Sequence, residues 1–155
     1  MLGPDSRRRA PRPTADNGAG GSPDGEILVP IERDADIVAA RQRGRSLATD
    51  LGFSVSDRTL IATAISELSR NILQYAGRGN VMMRPLENGG HPGILVVARD
   101  EGPGIADVTQ ALAVGFSTSG GLGLGLPGVR RLVDSFEITT APGQGTVVTA
   151  IKWNR

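Results

Sequence analysis

From Glu26 onward the chain divides into blocks whose apolar residues recur with two different periods. Ile27, Val29 and Ile31 alternate with Leu28 and Pro30, the period of a strand. The proline cannot donate to a ladder and marks this strand as an edge. Between Asp34 and Leu51 the spacing turns helical: Ile37, Ala40, Leu47 and Leu51 share a face, Arg41, Arg43 and Arg45 fall mostly elsewhere, and Gly52 supplies a stop. A second, stronger helix is predicted to open at Ser56-Asp57 and to run to Gly77, with Leu60, Ile61, Ala64, Ile65, Leu68, Ile72 and Leu73 forming a broad apolar face.

The remaining blocks come in pairs. NVMMRPLE and GILVVARD flank Asn88-Gly89-Gly90, and FEITTA and GTVVTAIKW flank Pro142-Gly143-Gln144, so each pair reads as an antiparallel hairpin. Between the hairpins lies a glycine-rich loop with a short helix starting near Pro127. Consecutive hairpins, rather than strand–helix–strand alternation, predict an α+β fold: a two-layer α/β sandwich with a mixed, mostly antiparallel sheet and helices on one face. Residues 1–25, rich in Pro, Gly, Asp and Arg, offer almost nothing to bury and are expected to be a disordered arm, leaving 26–155 as one domain. The arm's Arg7-Arg8-Arg9 run with Arg12 reads either as a solvated stretch or as a contact for a polyanion.

Composition narrows the chemistry. With 17 basic and 16 acidic residues the net charge is +1, which gives no reason to expect nucleic acid or an anionic membrane as the main partner. The absence of cysteine excludes disulfides, thiolate metal sites and cysteine nucleophiles. Without a long apolar run or an apolar signal core, a cytoplasmic location is expected.

Three places then carry candidate chemistry, each with a plainer reading beside it. The run GGLGLGLPG over 120–128 lacks the spacing and flanking strand of a dinucleotide fingerprint, and no Gly-Lys-Ser or Gly-Lys-Thr exists. It is either a flexible loop or a loop whose backbone N–H groups collect phosphate oxygens at a helix start. Glu67 and Asn71 emerge one turn apart on the strong helix. They are either a solvent-facing pair, or a proton acceptor and a neutral oxygen ligand for Mg2+. Asp100 opens Asp100-Glu101-Gly102-Pro103-Gly104-Ile105, either as a turn-former or as a carboxylate offered to a base edge.

Taken together, the ELSRN of 67–71, the DEGPGI of 100–105 and the GGLGLGL of 120–126 resemble, in order and separation, the N, G1 and G2 boxes of the GHKL (Bergerat-fold) ATPase superfamily. Over about residues 27–155 the chain is most similar to the RsbT-type serine/threonine kinases of its anti-sigma regulatory group. The resemblance implies ATP and Mg2+ as cofactors. It assigns Asn71 to the metal and Glu67, as catalytic residue, to activation of the nucleophile. It gives Asp100 to the adenine amino group and Gly102, Gly104 and Ile105 to the turn beneath the base. Gly121, Leu122, Gly123, Leu124, Gly125 and Leu126 fall to the phosphate lid, and Thr146 to the strand behind the adenine. No lysine lies in these boxes, so Arg70, Arg78 and Arg41 are the cations available for the γ-phosphate.

The same resemblance implies a kinase that phosphorylates a STAS-domain antagonist on serine or threonine and also binds and activates a PP2C-type phosphatase. His91, the single histidine, falls in a hairpin turn and offers no phospho-acceptor of the histidine-kinase kind. The competing expectation is a nucleotide-gated binding module, an anti-sigma factor of RsbW or SpoIIAB type that sequesters a sigma factor.

Overall fold

The computed structural model describes residues 25–104 and 125–155. Residues 1–24 of the predicted arm lie outside the described residues, as do the site candidates Ile105, Gly121, Leu122, Gly123 and Leu124. The described elements are β1 (Ile27–Ile31), α1 (Asp34–Asp50), α2 (Val55–Ala76), β2 (Gly79–Asn88), β3 (His91–Asp100), α3 (Gly125–Leu132), β4 (Ser135–Thr140) and β5 (Thr146–Trp153).

The strands form a 5-stranded sheet in the order β1-β2-β3-β5-β4, and every neighbouring pair in it is antiparallel. The parallel component allowed for in a mixed sheet is therefore not found among the described residues. β1 occupies an edge, as Pro30 required. Pro85 is tolerated inside β2 because pairing with β1 ends at Met83, so the ring interrupts no ladder on that side. Asn88 faces His91 across a two-residue turn, and Gly89 and Gly90, at φ 60 and 84, meet the need of such a tight turn for positive φ at both positions.

The helices cover one face of the sheet, and α2 lies centrally, touching α1, α3, β2 and β3. Its Ile61, Ala64, Ile65, Leu68 and Ile72 meet Val81, Met83, Ile94, Val96 and Ala98 of the central strands in one core. Fully burying a side chain such as Ile65 or Leu68 contributes about 1.5–3 kcal/mol. So central a helix also buries polar positions. The Ser66 and Ser69 hydroxyls donate to the carbonyls of Ala62 and Ile65 at 3.0 and 2.8 Å, satisfying themselves within the helix.

One predicted helix start shifts. The cap of α2 is Ser54, not Ser56: its extended backbone lets the hydroxyl accept from the Asp57 N–H at 3.1 Å. The third helix, expected from near Pro127, is described over Gly125–Leu132. Among the described residues no helix is long and apolar enough to cross a membrane.

Candidate nucleotide site

One turn of α2 carries an unusual debt of hydrogen bonds. Among the described residues three buried side-chain atoms have no partner, Oε2 of Glu67, Nε of Arg70 and Nδ2 of Asn71. Leaving one such group unmade costs roughly 1–3 kcal/mol, and more when it is charged. Folded proteins keep few of these, and three within five residues of one helix mark a place where something else completes the bonding. Glu67 is only 3% exposed, which removes the reading of Glu67 and Asn71 as a solvent-facing pair. The spacing that put them on one face holds, but the face looks inward.

The end of β3 is fastened beside this turn by two close approaches. A Cβ on Gly79 would lie 2.9 Å from Cγ2 of Ile72 and 3.0 Å from Cβ of Asp100, so strand end and helix meet around that glycine. A Cβ on Gly102 would lie 2.5 Å from Cβ of Ala76, so the loop after β3 rests on the last turn of α2. Neighbouring Asn71 thus stands next to the residue, Ile72, that touches the Asp100 end of the sheet.

Asp100 is placed by its strand between Gly79 of β2 and Thr146 of β5. Its Oδ1 accepts from the Gly102 N–H at 2.8 Å, a side-chain turn that leaves Oδ2 outside the bond. Gly104, at φ 81, faces the carbonyl of Ala141, where any Cβ would come within 2.3 Å. The adjoining Pro103 carbonyl accepts from the Gly143 N–H at 2.6 Å, tying this loop to the β4–β5 turn. Thr146 is buried; its hydroxyl lies 3.0 Å from that of Thr140, which donates to the Gly145 carbonyl at 3.0 Å. With the Thr140 proton on that carbonyl, Thr146 donates to Thr140 and keeps its own oxygen as an acceptor.

The structure therefore gathers Asp100, Gly102, Gly104 and Thr146 at one end of the sheet, beside the helix turn bearing Glu67 and Asn71. Gly125 opens α3 at φ 53, while the side chain of Leu126 lies in the core, leaving its backbone for any ligand contact. Two glycines escaped notice in the sequence. Gly79 permits the strand–helix contact, and Gly145, at φ 85, would place a Cβ 2.2 Å from the Asp100 carbonyl oxygen. Both sat in stretches that read as ordinary turns or strand ends, so only their close approach in space distinguishes them. Arg70 was noted only as an available cation; its buried nitrogen has no signature in the sequence.

Helices layered on one face of an antiparallel sheet, with a carboxylate-and-glycine turn at a strand end and unsatisfied polar groups on the adjoining helix, define a two-layer nucleotide-binding ATPase domain. Residues 56–154 match the family described as histidine kinase-, DNA gyrase B-, and HSP90-like ATPase. The chain is 51% identical over 130 residues to the serine/threonine-protein kinase RsbT of Bacillus subtilis, covering 84% of this chain and 98% of that one. Among solved structures, the mycobacterial sensor histidine kinase MprB shares 21% identity at a TM-score of 0.50, over 83% of this chain and 99% of that chain. The histidine kinase domain from the EL346 blue-light activated histidine kinase of Erythrobacter litoralis aligns at a TM-score of 0.46 with 21% identity, over 88% of this chain and 65% of that chain. The chain belongs to the histidine kinase-, DNA gyrase B- and HSP90-like ATPase family, and within it to the RsbT-type serine/threonine-protein kinases.

Proposed function

We propose that the protein is a cytoplasmic partner-switching kinase that transfers the γ-phosphoryl group of ATP to a serine or threonine of a STAS-domain antagonist. In the same reading it binds and activates a PP2C-type phosphatase once the antagonist is modified. The observation that carries this is the buried Glu67 carboxylate, unpartnered at Oε2 and one turn from Asn71, whose carboxamide is unpartnered at its donor Nδ2.

The residues divide the work by their chemistry. Asp100 Oδ2 and the Thr146 oxygen are acceptors and suit the adenine amino group, a donor. The carboxamide oxygen of Asn71 suits Mg2+, which takes oxygen ligands together with substrate phosphates, while its unpartnered Nδ2 is a donor that suits a phosphate oxygen. When bound, that ion neutralises phosphate charge. The buried Glu67 carboxylate takes the proton of the attacking hydroxyl; a bond forms from that oxygen to the γ-phosphorus as the bond to ADP breaks. By the resemblance, Gly121, Gly123 and Gly125 contribute N–H groups to the phosphates. The new phosphate on the antagonist adds negative charge at its interface and loosens it, freeing the kinase for the phosphatase.

Incubating the protein with γ-labelled ATP, Mg2+ and candidate STAS proteins tests this. Label on a serine or threonine of one such protein supports the kinase. A stable complex with a sigma factor, without transfer to any STAS protein, supports the anti-sigma reading instead.

A further inference from the structure

Resting on the ATP-dependent reading above, we infer that Arg70 binds the transferred γ-phosphoryl group and supplies a fixed side-chain cation beside Glu67 and Asn71. Of the three arginines available from the sequence, Arg78 is exposed beyond the end of α2 and Arg41 is half-buried on α1. Only Arg70 lies on the turn that carries Glu67 and Asn71, and only its Nε is both buried and without an acceptor.

The natural local partner for this guanidinium is Glu67, three residues earlier, a spacing at which opposite charges on a helix attract. Yet Nε of Arg70 and Oε2 of Glu67 are both buried and unpartnered. The turn therefore presents an unpartnered acceptor and an unpartnered donor three residues apart on one helix. Glu67 calls for a group that gives a proton, and Arg70 for one that only accepts. A hydroxyl attacking a phosphoryl group satisfies both together. The hydroxyl donates to the carboxylate, and non-bridging phosphoryl oxygens accept from the guanidinium, whose planar fork matches phosphate better than a point charge does. A fixed cation there opposes the charge of the reacting oxygens and is in place before reaction begins.

The diphosphate product lacks the group that Arg70 holds, so the inference separates the two nucleotides. Calorimetric titration of wild type, Arg70→Gln and Arg70→Lys with a non-hydrolysable ATP analogue and with ADP, each with Mg2+, reads it directly. Arg70→Gln is expected to weaken the triphosphate by about 10-fold to about 100-fold, the loss of one charge-assisted hydrogen bond, and to leave ADP unchanged. Arg70→Lys, which keeps the charge and loses the fork, is expected to fall between, and thermal unfolding shows whether each variant is folded. Equal losses for both nucleotides, or no loss for either, overturn the inference while the ATP reading stands. A wild type that binds neither nucleotide overturns the ATP reading, and this inference with it.

Discussion

Replacing Asp100 by asparagine changes one atom at the end of β3 and puts the adenine assignment at risk. In the native protein Oδ1 accepts from the Gly102 N–H at 2.8 Å, and Oδ2 lies outside that bond. In Asp100→Asn the Gly102 N–H still demands an oxygen, which fixes the carboxamide with its NH2 toward the ligand; turning it over would set donor against donor at 2.8 Å. The adenine amino group then meets a donor where it had a charged acceptor. Loss of a charge-assisted hydrogen bond costs roughly 1.5–3 kcal/mol, so the ATP dissociation constant should rise by about 10-fold to about 100-fold. The same NH2 can donate to the 6-oxo group of guanine, so the preference for ATP over GTP should shrink further. Because the turn bond survives, thermal stability should shift by no more than about 0.5 kcal/mol. Titration calorimetry with both nucleotides and a melting curve are sufficient. A folded variant with unchanged ATP affinity refutes the assignment.

Other consequences are as concrete. Glu67→Gln keeps side-chain volume and should retain ATP binding while abolishing transfer to the protein substrate. It also removes a buried carboxylate lacking a partner at Oε2, so its unfolding midpoint should rise rather than fall, and a clear drop would count against the inward, ligand-seeking role of that group. Gly102→Ala drives a methyl to within 2.5 Å of Cβ of Ala76 and should lose about 1–3 kcal/mol in urea denaturation, with weaker nucleotide binding as the loop lifts from α2. Leu68→Ala, at 1% exposure in the core of α2, should cost about 2–5 kcal/mol without altering nucleotide specificity. Chelation of Mg2+ should stop transfer to protein and weaken ATP more than adenosine, since the metal is expected to act through the phosphates.

The sequence displayed most of the architecture because the apolar periods are clean: alternation in β1, a broad helical stripe in α2, and glycine turns between paired strands. Boundaries were less legible. The sequence places the start of α2 at Ser56, whereas the extended backbone and the hydroxyl bond that make the cap lie at Ser54. The candidate site was legible as motifs, yet the sequence left Glu67 and Asn71 open to a solvated reading, because spacing gives the face of a helix and not what lies against it. Burial comes from α2 being packed by α1 and α3 as well as by the sheet, a tertiary fact. Gly79 and Gly145 were invisible for the same reason: their importance lies in contacts with Ile72 and Asp100 across the chain.

The most direct measurement is a crystal structure of the complex with Mg2+ and a non-hydrolysable ATP analogue. The account predicts the adenine amino group on the Asp100 carboxylate, the metal on the Asn71 carboxamide, and the terminal phosphate beside Glu67. A nucleotide seated elsewhere, or Glu67 and Asn71 still unpartnered in a fully occupied complex, would contradict it.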